Sequence, residues 1–146
     1  MGKAEKLRHK SLVDGLFEGG RTLYEYPLRM TYRVLGSEEL KGAFRNGTPP
    51  LVGDLQMLVT VPKKKVRHAV DRVRIRRRIR EAYRLNRLAL RDAARADGNV
   101  RVVCMAFIYL HAGDTDYATI EKKMQRLLAK VEKEIAGSAA DSKVEA

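Results

Sequence analysis

The stretch LVTVPKKKVRHAVDRVRIRRRIREAYR, residues 58–84, decides how this chain is read, because its periodicity changes once and its charge arrives at the change. Up to Val61 the chain is apolar and β-branched, and the run Leu55 to Val61 predicts an inner strand that Pro62 ends. Three lysines follow, Lys63, Lys64 and Lys65. From Arg72 to Arg95 the period becomes helical. At about 100° per residue, Ile75, Ile79, Ala82, Tyr83 and Leu90 gather within roughly a quarter-turn and form a core face. Arg74, Arg77, Arg80, Arg84, Arg87 and Arg91 form one continuous outer stripe, about 26 Å long at a rise of about 1.5 Å per residue. Arg76 and Arg78 flank the stripe, and Glu81 is spaced to hold Arg77, Arg78 and Arg84 without cancelling the field.

Nearly all the net charge of +12 resides here: between Pro62 and Arg91, thirteen basic residues face only Asp71 and Glu81. A solvated helix face mixes signs to limit self-repulsion, whereas this one is cationic almost throughout. Arginine's planar fork suits bidentate phosphate contact and stacks on bases. A dense local cationic patch therefore predicts a nucleic-acid partner. A membrane-surface or calmodulin-binding helix would need a broad exposed apolar face, and here the apolar face is committed to a core.

Working outward, Lys6 to Glu18 reads as a first helix, with Ser11 and Asp14 as a capping pair and Leu12, Val13, Leu16 and Phe17 on one face. Gly19-Gly20 is expected to stop it through a left-handed residue. Leu28 to Leu35 alternates Leu28, Met30, Tyr32 and Val34 against Arg29, Thr31 and Arg33, a strand with one buried face. Gly36 to Pro50 reads as a loop with one helical turn, and Asp97-Gly98-Asn99 as the turn before a strand in Val100 to Leu110. In the last helix Ile120, Met124, Leu127, Leu128, Val131 and Ile135 share a face, with Asp116 as N-cap and Gly137 as the stop. These elements predict an α+β fold of one domain over residues 1–137 with helices on a small sheet, a two-layer α/β sandwich in the order helix, strands, helix, strand, helix, and a flexible tail over 138–146.

The composition and motifs narrow the function classes. The single cysteine, Cys104, lies in an apolar run and reads as a buried small hydrophobe, and one cysteine cannot build a disulfide framework. His9, His68 and His111 lack metal-ligand spacing, and there is no Gly-rich phosphate loop, no G-x-S-x-G and no acidic cluster for two catalytic metals. Asp54 and Asp71 read as turn and helix-cap residues. Neither a catalytic nor a metal site is expected on the chain itself. No apolar stretch approaches the roughly twenty residues of a membrane span, and no secretory h-region follows the N-terminus, so a cytoplasmic protein is expected.

With these residues in view, the chain resembles the protein component of bacterial ribonuclease P. The family pattern R-N-R-I-K-R-x-x-R-E falls on Arg72-Val73-Arg74-Ile75-Arg76-Arg77-Arg78-Ile79-Arg80-Glu81. The strand ending in lysines falls on Leu58 to Lys64, the Phe-x-x-Gly helix end on Phe17 to Gly20, and a Pro-Leu strand start on Pro27-Leu28. The resemblance covers about Lys6 to Ile135. It implies a fold like that of ribosomal protein S5 domain 2 and a subunit that joins a catalytic RNA to remove the 5′ leader of precursor tRNA. The RNA is then expected to carry the Mg²⁺-dependent hydrolysis, with no membrane and no protein partner implied. By position, the catalytic RNA would be met by Arg67, Arg72, Arg74, Arg76, Arg77, Arg78, Arg80 and Arg84. The leader would be met in a cleft lined by Val13 and Phe17 of the helix and Thr31 or Tyr32 of the strand, with Lys63, Lys64 and Lys65 at its edge. Two positions depart from the pattern: Val73 replaces the family's Asn and removes a polar side chain, and Arg76 replaces its Lys. A ribosomal or RNA-chaperone protein using the same helix, a DNA-binding protein and a stand-alone nuclease are the competing readings. The absent helix-turn-helix pattern weighs against the second and the absent catalytic constellation against the third.

Overall fold

The structure, a computed structural model, describes residues 6–7, 10–43 and 54–145. In chain order the elements are α1 (Lys10–Gly19), β1 (Arg21–Glu25), β2 (Leu28–Leu35), α2 (Ser37–Ala43), β3 (Leu55–Thr60), α3 (Ala69–Asn86), α4 (Leu88–Ala96), β4 (Val102–Tyr109) and α5 (Tyr117–Glu145). The strands form one sheet in the order β1-β2-β4-β3, antiparallel except for the parallel pair β3 and β4. A parallel pair needs a long crossover, and α3 with α4 supplies it. The topology thus lays the basic helix across the sheet beside α5, with which it packs.

Strand alternation divides the interior in two. Leu28, Met30 and Tyr32 of β2 and Val103, Met105, Phe107 and Tyr109 of β4 enter the main core with Ile75, Ile79, Ala82 and Tyr83 of α3 and the apolar face of α5. The opposite parity, Leu35 of β2 and Val102, Cys104 and Ala106 of β4, enters a smaller core with Leu12 and Leu16 of α1 and Leu40 of α2. Sheet and α3–α5 make the two main layers, and α1 and α2 lie over part of the second face. Burial holds the Cys104 thiol up to about 12, so it stays protonated and is no nucleophile.

Several local expectations are corrected. The strand at Leu55 is an edge strand, not an inner one; it is apolar because cores press on both faces and its outer side meets Leu7, whose N–H donates to the Met57 carbonyl at 2.9 Å. The helix expected from Arg72 to Arg95 begins at Ala69 and divides at Arg87, which remains in the right-handed helical region. Ser11 lies inside α1 rather than ahead of it. Gly137 does not stop the last helix, which runs to Glu145. Open space surrounds Gly137, and one glycine costs a helix only about 1 kcal/mol. α1 does end at Gly19, but Gly113 is the positive-φ glycine among the described residues. Gly20 is needed for a close approach: a Cβ there would collide with the Leu16 carbonyl and lie 3.0 Å from that of Tyr32. The middle of the Gly36–Asp54 connection lies outside the described residues.

Candidate nucleic-acid interface

α3 forms because its apolar residues recur on one side; Ile75, Ile79, Ala82 and Tyr83 are all buried. Its arginines divide by what they touch. Arg72 turns back and donates from Nη1 to the carbonyls of Val66, at 3.0 Å, and Arg67, at 2.7 Å. Arg78 donates to Asp114 at 2.8 Å and to the Thr115 carbonyl at 2.6 Å. These two arginines fasten the helix to the turn before it and to the loop after β4. Arg74 pairs with Asp71 within the first turn at 2.5 Å. Arg84 holds both carboxylate oxygens of Glu81 at 2.6 and 3.1 Å, which keeps that carboxyl below its ordinary range. Glu81 therefore serves Arg84 alone, and not Arg77 or Arg78 as its spacing allowed. Arg67, Arg76, Arg77 and Arg80 have no carboxylate partner among the described residues. Val73 is partly exposed among them, and Val70 is 77 % exposed one turn earlier.

The lysines project from a tight turn. The Lys65 and Val66 N–H groups both donate to the Pro62 carbonyl, at 3.0 and 3.1 Å. Val61 and Val66 are buried on either side, so Lys63, Lys64 and Lys65 are forced outward and exposed. Between this turn, the start of α3 and the loop at Gly113 lies a shallow cavity of about 250 Å³, with Val66 and Ile75 inside and Lys65, Arg67 and Arg74 among its lining.

A second surface opens on the other face of the sheet, beside α1. Gly15 and Gly19 bring one flank of this helix against the Arg33 side chain. Val13 and Phe17, about 160° away in helical phase, lie on the opposite flank. Val13 packs against the small core, while Phe17 is 52 % exposed. Thr31 is on this face, opposite Thr22 of β1 with the hydroxyls 3.3 Å apart. Tyr32 is not: it is 3 % exposed and points into the main core, as the strand's alternation requires once Thr31 faces α1. Tyr32 is thus removed from the cleft lining. Sequence reasoning missed Tyr24, which is 62 % exposed, and Arg29 directly across from it. Alternation groups Arg29 with Thr31 and so is the signal that points to this face. Tyr26, also exposed, donates or accepts at 2.7 Å with Nδ1 of His111 at the end of this sheet.

Among the described residues no His, Cys, Asp or Glu side chains gather in threes that could hold a metal, and no helix is long and apolar enough to cross a membrane. Asp54, expected in a turn, pairs with Arg95, and Asp71 with Arg74 inside the helix rather than at its cap. The arrangement can bind polyanions; its chemistry is electrostatic and stacking.

Comparisons with known proteins agree with this geometry. The family profile described as Ribonuclease P matches residues 1–132. The Ribonuclease P protein component of Porphyromonas gingivalis is 34 % identical over 139 residues, covering 95 % of this chain and 91 % of that protein. That of Chlorobaculum tepidum is 36 % identical over 114 residues, covering 77 % and 68 %. Among solved structures, the RNase P protein of Thermotoga maritima superposes with a TM-score of 0.60 at 18 % identity, covering 86 % of this chain and 96 % of that one. The RNase P protein of Staphylococcus aureus gives 0.60 at 16 % identity, covering 87 % and 94 %. The fold is shared with these structures, and the profile and the relatives settle the family: the chain belongs to the ribonuclease P protein family.

Proposed function

We propose that this chain works as the RNA-binding half of a ribozyme: α3 docks on the ribonuclease P RNA, the cleft beside α1 receives the single-stranded 5′ leader of precursor tRNA, and the RNA performs the hydrolysis. As a protein component of ribonuclease P it acts in tRNA 5′ processing beside that RNA. The observation that carries the assignment of α3 is the set of cations without carboxylate partners among the described residues, Arg76, Arg77 and Arg80 on the helix and Arg67 just before it, with the helix anchored through Arg72 and Arg78. Unneutralised guanidiniums held at fixed spacing meet phosphates without first breaking ion pairs. Arg74 and Arg84 reach the RNA only in competition with Asp71 and Glu81. For the leader, Phe17 offers a stacking face, Thr31 a hydroxyl on the floor and Lys63–Lys65 charge at the rim, the combination that single strands favour.

Mg²⁺ belongs to the RNA in this reading. The described acidic residues are dispersed or paired with arginine and do not fit a protein-held metal. When bound by RNA, Mg²⁺ supplies the activated water and stabilises the leaving oxygen. The protein's residues bind and orient.

Reconstitution tests this. The protein, its cognate RNA and a precursor tRNA are combined at low Mg²⁺, with long-leader and leaderless substrates compared. Cleavage at the mature 5′ end is expected only with RNA present, with tighter binding of the leader-bearing substrate. Cleavage by the protein alone, or no stimulation of the RNA, overturns the reading.

A further inference from the structure

On the second face of the sheet, past the part that α1 covers, four residues stand side by side across the strands: Tyr24, Arg29, Ile108 and Thr60. Adjacent strands lie about 4.8 Å apart, so the row spans roughly 14 Å. Tyr24 and Thr60 are exposed, and Arg29 and Ile108 are half-buried outside the small core. Arg29 is the anomaly. Among the described residues its Nε, closed to solvent, has no hydrogen-bond partner, and its guanidinium forms no ion pair with a carboxylate. The acid nearest in register, Glu25, lies one residue beyond Tyr24 and so on the opposite face, where it takes Lys130 at 3.3 Å. A half-buried guanidinium on an interior strand normally has a carboxylate, because a desolvated donor without a partner is costly. Arg29 has instead the exposed Tyr24 ring opposite it in register, while the exposed Phe17 lies on the flank of α1 away from Arg33.

We infer that Arg29 is a binding residue for single-stranded RNA, its guanidinium taking a backbone phosphate of a strand that crosses this row while neighbouring bases stack on Tyr24 and Phe17. The inference rests on the leader-binding reading above and adds a specific anchor to it. The chemistry is selective for a nucleotide chain: a half-buried cation, an aromatic residue opposite it in register, and an apolar Ile108 between it and Thr60.

The test uses the assembled RNA–protein enzyme with Arg29→Met, which keeps length and apolar contact, and Arg29→Lys, which keeps charge. Affinity is measured for leader-bearing and leaderless precursors at several salt concentrations. Arg29→Met is expected to weaken the leader-bearing substrate about tenfold and to lower its log–log salt slope by about 0.7, one single-strand phosphate. The leaderless substrate and binding to the catalytic RNA should not change, and Arg29→Lys should restore most of the slope. A wild-type leader preference persisting in Arg29→Met overturns the role of Arg29 alone; absence of any leader preference in the wild type overturns both readings. As a measurement independent of variants, arginine modification by phenylglyoxal is followed by mass spectrometry on the wild-type enzyme. Protection of Arg29 by a leader oligonucleotide supports the inference. Equal reactivity with and without it, or protection by inorganic phosphate but not by the oligonucleotide, overturns it.

Discussion

Replacing Arg76, Arg77 and Arg80 together by Gln isolates the charge that the fold leaves unpaired. None of the three has a carboxylate partner among the described residues, and Arg77 and Arg80 are exposed. Each phosphate that a cation no longer neutralises takes about 0.7–0.9 off the slope of log K against log salt. Three such phosphates therefore lower the slope for the catalytic RNA by about 2–2.7. At about 0.15 M salt that amounts to roughly 100-fold in affinity, about 2.7 kcal/mol. The unfolding midpoint should hardly move, since surface substitutions without partners stay within about 0.5 kcal/mol. The comparison variant is Arg84→Gln. Its guanidinium already sits on both oxygens of Glu81, so its removal should change the slope by clearly less than one exposed arginine does. The assay is a filter-binding or fluorescence titration of the ribonuclease P RNA at four or more salt concentrations. An unchanged slope in the triple variant, or a loss per charge at Arg84 equal to that in the triple, refutes the division of the arginines into paired and available sets.

Two further outcomes test the fold itself. Gly20→Ala drives a methyl into the Leu16 carbonyl and to 2.9 Å from Thr31 Cγ2; it should cost at least about 1–3 kcal/mol as overpacking, whereas Gly137→Ala, with nothing within 4 Å, should be neutral or mildly stabilising in the same thermal melt. The Cys104 thiol, pushed up to about 12 by burial with a small opposing effect of Arg33, favours the folded state below the ordinary thiol range. That contribution is lost as pH rises from about 9 towards 12, by at most about 1.4 kcal/mol per pH unit, so stability should fall over that window more steeply than in Cys104→Ala; alkylation of native protein near pH 8 should be slow and become fast on unfolding.

The elements with a strong period were legible in the sequence. Ile75, Ile79, Ala82, Tyr83 and Leu90 are buried as a single face, and so are the six apolar residues from Ile120 to Ile135. What escaped has physical reasons. β1 is a five-residue edge strand, largely exposed, and has no apolar alternation to betray it. The division at Arg87 carries neither glycine nor proline; Arg87 caps its own helix by donating to the Arg84 carbonyl at 2.7 Å. Burial on two faces made β3 read as interior, because a sequence shows how apolar a strand is and not which neighbours it has. The cleft is instructive in the same way. Alternation forces Thr31 and Tyr32 to opposite faces, so only one could line it, but deciding which required knowing the face on which α1 sits.

The arginines of α3 show why a run of one residue type can serve two purposes. Arg72 and Arg78 are held from within, one by carbonyls of the turn that carries the lysines, the other by Asp114 and the Thr115 carbonyl. Tyr109 braces the same loop, donating to the Gly113 carbonyl at 2.7 Å. These contacts fix three segments, the lysine turn, the basic helix and the loop after β4, as one body. A long cationic side chain loses rotamer freedom when it binds, and a mobile support would add its own ordering cost to every phosphate contact. Two inward arginines therefore lower the cost of using the outward ones. Charge count alone treats all of these residues as equivalent, although their separate partners make some of them supports and leave Arg76, Arg77 and Arg80 without a carboxylate among the described residues.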